Sequence, residues 1–288
     1  MGIKVSSLSF SYGGRPVLDD VSLSVPDGTL ACVLGPNGVG KTTLFRCILG
    51  LERPGRGTVC VNGRDLATLS VAQRAREMAF VPQSHAQPFD YDVLDVVLMS
   101  ASSRLGPLRS PGRREREAAL AALERVGVAE LAHRSFSQIS GGERQLVLIA
   151  RAIAQDARSI VMDEPTSALD FGNTARVMGV VRELADDGLA VVASTHQPDL
   201  AYLYADVVLA LDEGRVRACG APGEVVTAEL LSELYGLDVE VTSLHGDRAR
   251  ACVPVRGLRR RGEKNGVPAG RGADVAAGED RGGRESLT

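Results

Sequence analysis

The stretch Gly35-Pro36-Asn37-Gly38-Val39-Gly40-Lys41-Thr42-Thr43 has the spacing of a GxxxxGK[ST] phosphate-binding loop. It follows the apolar run Thr29–Leu34 and precedes the helix-like Leu44–Leu49, so a buried strand feeds a glycine turn that opens a helix. Free backbone N–H groups at such a turn face an anion, and the helix start adds a favourable field. Glycines give the main chain angles and a closeness of approach that a Cβ would forbid. In this chemistry Lys41 reaches the β- and γ-phosphates, and Thr42 offers its hydroxyl to Mg²⁺.

A second element fits the same chemistry. Ser159–Met162 is an apolar strand ending in Asp163 and Glu164. A carboxylate at a strand tip beside a phosphate loop can hold Mg²⁺ through water, the place expected for Asp163. In an extended chain Glu164 points to the opposite face and can accept a proton from a water attacking the γ-phosphate. Alone, an Asp-Glu pair after a strand is an ordinary solvated turn; the loop upstream changes that reading. Ile139-Ser140-Gly141-Gly142-Glu143 stands just before a helix, where Ser140 and two glycine N–H groups offer a second anion-binding start. His196 follows the strand Val191–Ser194, at a strand end where open α/β sheets meet their ligands.

The elements that must position these residues are legible as patterns. Ile3–Ser7 and Val21–Val25 alternate apolar with polar, Thr58–Val61 and Met78–Val81 are short β-type runs, and Gly13-Gly14, Pro26-Asp27-Gly28 and Asn62-Gly63 mark turns. From Asp92, a candidate N-cap, the pattern turns helical, with Val93, Val96 and Val97 at helical spacing. Arg113–Val126 is rich in helix formers, and Gly142–Gln155 sets Leu146, Ile149, Ala150 and Ile153 on one face. Ser159–Met162, Ala190–Ser194 and Val207–Leu211 read as buried strands, with the helix-like Ala175–Ala185 between the first two. Strands alternating with helices predict a mostly parallel sheet.

Composition narrows the class. The 288 residues are 44% hydrophobic with net charge −3, which argues against nucleic acid as the main partner. Five cysteines without a CxxC pair argue against a disulfide framework or a zinc site. No apolar run approaches the ~18 residues of a membrane span, and the N-terminus lacks the pattern of a signal peptide. Residues 255–288 are dominated by glycine and arginine and are expected to be disordered.

Together these residues resemble the ATP-binding-cassette (ABC) ATPases, over roughly residues 3–245 and in the family's order. Tyr12 resembles the aromatic that stacks on adenine, and Gly35–Thr43 the Walker A loop. Gln83 resembles the Q-loop glutamine, and Ile139–Glu143 the signature, with Ile139 and Glu143 in place of Leu and Gln of the commonest LSGGQ form. Ile160–Asp163 with Glu164 resembles Walker B and the catalytic glutamate, Ser167-Ala168-Leu169-Asp170 the D-loop, and His196 the switch histidine. The resemblance implies a P-loop NTPase core with an N-terminal antiparallel β subdomain and an inserted helical subdomain at about 86–158, within an ATPase domain spanning 1–254. It implies ATP and Mg²⁺ as ligands, the metal held by Thr42, Gln83 and Asp163. It also implies a head-to-tail dimer in which Ser140, Gly141, Gly142 and Glu143 close on the partner's ATP.

A single cassette without membrane helices fits a subunit that docks on a separate permease at the cytoplasmic face of the membrane, served indirectly by a substrate-binding protein. Phe80–Ser84, Phe89–Met99, Phe136–Gln145, Asp170–Asn173 and Thr195–Asp199 are similar to the iron–siderophore, haem and cobalamin importers, although Ser100-Ala101 replaces the Gly-Arg frequent there. Molybdate or tungstate import is an alternative, and a soluble cassette ATPase of translation or DNA repair is an alternative of another class. Ser84–Val97 is expected to meet a permease helix, with Asp90 and Asp92 contributing to coupling.

Overall fold

The computed structural model describes residues 2–83, 91–105 and 110–255. The chain opens with β1 (Ile3–Tyr12), β2 (Arg15–Val25) and β3 (Leu30–Leu34), then α1 (Lys41–Ile48). Next come β4 (Arg56–Val61), β5 (Arg64–Asp65), α2 (Val71–Glu77) and β6 (Met78–Val81). Four helices follow: α3 (Val93–Leu98), α4 (Ser102–Leu105), α5 (Arg113–Arg125) and α6 (Gly141–Ala154). The second half runs β7 (Ser159–Met162), α7 (Phe171–Asp186), β8 (Ala190–Thr195), α8 (Pro198–Tyr204), β9 (Val207–Asp212) and β10 (Arg215–Gly220). It closes with α9 (Pro222–Val225), α10 (Ala228–Tyr235), β11 (Val239–Leu244) and β12 (Ala249–Pro254).

The central sheet has the order β10-β9-β3-β8-β7-β6 and is parallel except for β10. Helices and a second sheet cover it, so its inner strands are buried on both faces and read as continuous apolar runs. On β3, Cys32 and Leu34 pack with α8 and α10, while Ala31 and Val33 face α1 and the antiparallel sheet. That second sheet, β2-β1-β4-β5, uses two tight hairpins. Gly13 and Gly14 (φ 53 and 86) join β1 to β2, and Asn62 and Gly63 (φ 51 and 79) join β4 to β5. These are the left-handed residue pairs that match the twist of two-residue hairpins.

Helices α3, α5 and α6 pack on one another and share a core with β6 and α7. The apolar face foreseen on α6 is buried through Leu146, Ile149 and Ala150. Three expectations are corrected. β1 and β2 run well beyond Ser7 and start before Val21, because their pairing continues to the Gly13-Gly14 turn. Helix α1 begins at Lys41 rather than Leu44, and α7 at Phe171 rather than Ala175, each set by the residue before it. Asp92 occupies the N-cap position of α3 but its side chain makes no capping hydrogen bond. Residues 84–90, the first half of the segment expected to meet a permease helix and including Asp90, and the Gly/Arg-rich tail from residue 256 lie outside the described residues.

Candidate functional site

Because β3, β6, β7 and β8 are parallel, their C-terminal ends deliver four loops to one edge. The loop after β3 carries Gly35–Thr43, that after β6 Gln83, that after β7 Asp163 and Glu164, and that after β8 His196. A cavity of about 360 Å³ forms there, lined by Asn37, Gly38, Gly40, Lys41, Thr42, Thr43, Gln83 and Glu164, together with Val17 of β2. Gly40 has φ 110, and a Cβ on it would stand 2.9 Å from Leu18 Cδ2 and 3.1 Å from the Val17 carbonyl. Only glycine lets the loop pack this closely on β2.

Lys41 is 5% exposed, and its ammonium is turned inward. It donates to the carbonyls of Gly35 (2.7 Å) and Pro36 (3.0 Å) and lies 3.4 Å from Glu164 Oε1. At this range the gross attraction is about 5 kcal/mol for an effective dielectric of about 20, and desolvation of both ions removes much of it. A polyphosphate bearing several charges therefore competes well for the same ammonium. Glu164 also accepts from Gln83 Nε2 (2.8 Å). His196 Nδ1 sits 3.7 Å from Glu164 Oε2, too long for a hydrogen bond, and has no other partner among the described residues.

The placement of Glu164 differs from the extended chain expected. Its φ is 45, a left-handed conformation that costs a non-glycine residue about 1–3 kcal/mol. The turn, rather than strand alternation, swings the carboxylate into the cavity. Asp163 is 4% exposed, and its Oδ1 accepts from Ser194 Oγ at 2.7 Å. The same Ser194 hydroxyl accepts from the Glu164 backbone N–H at 2.8 Å. In the sequence Ser194 stands merely at the end of a β-type run. A hydroxyl late in a buried strand that begins Ala-Val-Val-Ala is the signal that could have found it, since buried polar groups are almost always partnered.

The remaining candidates lie outside this cavity. Gly141, Ser167, Ala168 and Leu169 line a separate space of about 200 Å³, which reaches Gln83 and Glu164 from the other side. Ser140 is the N-cap of α6, so Gly141 to Glu143 form its first turn. Its hydroxyl accepts from the Glu143 N–H (3.3 Å), and Glu143 Oε2 accepts from the Ser140 N–H (2.7 Å). Those hydrogen bonds from Ser140 hold the Glu143 carboxyl below its ordinary range. The expected anion-binding start is thus partly taken by a capping box, which leaves the N–H groups of Gly141 and Gly142. A Cβ on Gly142 would meet the Asn173 side chain at 2.4 Å. Asp170 caps α7 by accepting from Asn173 N at 2.8 Å, so the starts of α6 and α7 meet through Asn173. Tyr12 does not line the 360 Å³ cavity. It stands at the β1–β2 hairpin, edge-on to Phe10 with ring centroids 4.7 Å apart, and its hydroxyl accepts from Arg46 of α1 (3.4 Å).

The cavity fits a nucleotide's phosphates on three observations: open space around the left-handed Gly38, an ammonium satisfied only locally, and the orphaned Nδ1 of His196. A divalent ion also fits. Thr42 is exposed at the helix start, and Asp163 has one carboxylate oxygen outside its bond to Ser194. Among the described residues no group of three or more His, Cys, Asp or Glu could hold a metal by itself, the donor set of an ion that keeps phosphate oxygens and waters.

A family model described as ABC transporter matches residues 18–167. The chain is 42% identical over 250 residues to the hemin import ATP-binding protein HmuV of Thermobifida fusca, covering 86% of this chain and 87% of that one. Among solved structures it is similar to one described as a metal-chelate type ABC transporter in an inward-facing conformation. That likeness has TM-score 0.79 and 33% identity, over 88% of this chain and 97% of the other. A dimeric bacterial ABC transporter cassette matches with TM-score 0.67 and 28% identity, over 76% of this chain and 98% of the other.

Proposed function

The chain belongs to the ABC transporter family, and from that premise we propose that it is the ATP-hydrolysing subunit of an importer for a metal chelate of the iron–siderophore kind. The observation that carries the reading is the single cavity in which a phosphate loop meets Glu164, Gln83 and the adjacent His196. In the proposed reaction the N–H groups of Gly38–Thr43 and the Lys41 ammonium cradle the phosphates, and Lys41 leaves Glu164 for the nucleotide. The freed Glu164 carboxylate takes a proton from the water attacking the γ-phosphate. His196 and Gln83 orient that water and the terminal phosphate. Thr42, Gln83 and Asp163 would hold Mg²⁺, which supplies neutralisation of charge on the β- and γ-oxygens. Tyr12 would pack on the base.

The phosphate loop lines one space and Gly141 of the α6 start lines another. We therefore place the signature of a second copy over each nucleotide, with Ser167, Ala168, Leu169 and Asp170 at the seam. Such an arrangement is self-complementary, as expected of a two-fold dimer.

No described helix is long and apolar enough to cross a membrane. In the reading proposed here the chain works with separate permease subunits, at the cytoplasmic face of the membrane. A groove of about 390 Å³ suits a short permease helix. Its wall includes Leu51, Val71, Met78, Phe80 and Met99, of which Val71 and Leu51 are 81% and 67% exposed. Val71→Asp places an acid in the first turn of α2, where the helix dipole tolerates it. It is expected to weaken permease binding about tenfold or more and to leave ATPase activity of the isolated chain unchanged. Pull-down with the permease checks this.

The overall reading is tested with the membrane protein that co-purifies with the chain, rebuilt into vesicles with ATP on the ATPase side. Movement of a ferric siderophore toward that side supports it. Movement away from it, as in export, contradicts it, as does co-purification with ribosomes or DNA in place of a membrane protein.

A further inference from the structure

We infer that Ser194 is a positioning residue for hydrolysis, one buried hydroxyl that holds Asp163 and Glu164 in their working places. The inference rests on the ATPase reading above. Pairing of β7 with β8 ends at Met162 and Ala193. Beyond that point Asp163 and Glu164 have no ladder toward β8, although the Asp163 N–H is still held from the other side by the Val81 carbonyl at 2.9 Å. Ser194, with 0% exposure, replaces the missing ladder with its side chain. It donates to Asp163 Oδ1 at 2.7 Å and accepts from the Glu164 N–H at 2.8 Å.

Each bond has a distinct consequence. The first fixes the Asp163 carboxylate through one oxygen and leaves the other outside that bond. The second satisfies a backbone N–H at the residue whose φ of 45 is unfavourable for a side chain, so it selects the turn that brings the Glu164 carboxylate beside Lys41 and Gln83. A single hydroxyl uses its one proton and one lone pair for this, and neither alanine nor valine can do so. The groups that cradle phosphate belong to Gly35–Thr43, which Ser194 does not hydrogen-bond. Its loss therefore acts on turnover and metal affinity more than on nucleotide affinity.

The test uses the whole chain with Ser194→Ala, Ser194→Thr and Ser194→Val. Threonine and valine add the same bulk at a fully buried position and differ in the hydroxyl alone. Steady-state ATP hydrolysis gives kcat and KM. Electron paramagnetic resonance of Mn²⁺, with a non-hydrolysable ATP analogue, gives metal affinity without turnover. Ser194→Ala is expected to lower kcat about tenfold with KM within about twofold, the size of one lost hydrogen bond to a charged group. Mn²⁺ affinity is expected to fall about threefold or more, and threonine to lie closer to wild type than valine in both readouts. A folded Ser194→Ala chain with wild-type kcat and Mn²⁺ affinity overturns the inference, as do threonine and valine variants that behave alike. A wild-type chain without turnover would sink the ATPase reading instead, and the Mn²⁺ measurement would then judge Ser194 by itself.

Discussion

Glu164→Gln is expected to slow ATP turnover by about 10²–10⁴-fold, the usual worth of a positioned general base, while ATP binding is retained or strengthened. The amide keeps the shape of the carboxylate and can still accept from Gln83 Nε2, which now lies 2.8 Å from Glu164. It cannot take the proton of the attacking water. It also cannot pair with Lys41, whose ammonium stands 3.4 Å from the carboxylate. In the wild type a nucleotide must first part that ion pair. With glutamine the lysine is released in advance, and a gain in affinity of a few-fold follows from the removed competitor. Equilibrium binding of a fluorescent ATP analogue and steady-state phosphate release measure the two effects separately. Weaker binding together with slow turnover would show that Glu164 shapes the cavity rather than acting on water.

Lys41→Met is expected to do the opposite to binding. Methionine fills the volume of the lysine stem at a site that is 5% exposed, so the loop and α1 keep their packing. What disappears is the one ammonium that the described residues bring to the cavity, with its charge-assisted bonds to the terminal phosphates. Two such bonds at about 1.5–3 kcal/mol each correspond to a loss in ATP affinity of about 10²-fold or more, with turnover near background. The same substitution leaves the Glu164 carboxylate, 10% exposed, without its cation. Thermal unfolding without nucleotide should therefore move down modestly, by a degree or a few. Titration calorimetry with ATP and a melting curve check both expectations. Binding at wild-type strength would mean that the lysine serves only the Gly35 and Pro36 carbonyls it now touches.

Much of this site was legible in the sequence because its parts are local. A strand, a glycine loop and a helix start are contiguous from Thr29 to Leu49, and an apolar run ending in Asp163-Glu164 is contiguous too. The order of seven such elements carried the family resemblance, and the parallel sheet that gathers them follows from strand–helix alternation. What was not legible depends on distant residues. The left-handed turn at Glu164 needs the hydroxyl of Ser194, thirty positions onward. Val17 joins the cavity only because β2 packs on Gly40. The hold on the His196 loop by Tyr235, whose hydroxyl donates to the His196 carbonyl at 3.2 Å, joins α10 to the site across 39 residues. Helices α2, α8 and α10, the edge strand β10 and the β11–β12 hairpin were also missed. They are short, and their apolar residues are set by packing against the sheet rather than by a long period of their own. The capping box of Ser140 and Glu143 could have been read from the S-x-x-E spacing, but the signature resemblance drew the residues toward phosphate contact.

The central claim is that one chain supplies half of each ATP site and that ATP closes two copies on each other. Sedimentation velocity of the Glu164→Gln variant tests it most directly, because bound ATP then persists. The account predicts a monomer without nucleotide or with ADP, and a dimer with ATP that is lost when Gly141→Asp places a carboxylate on the signature helix start. A chain that binds ATP yet sediments as a monomer at every concentration of nucleotide would contradict it.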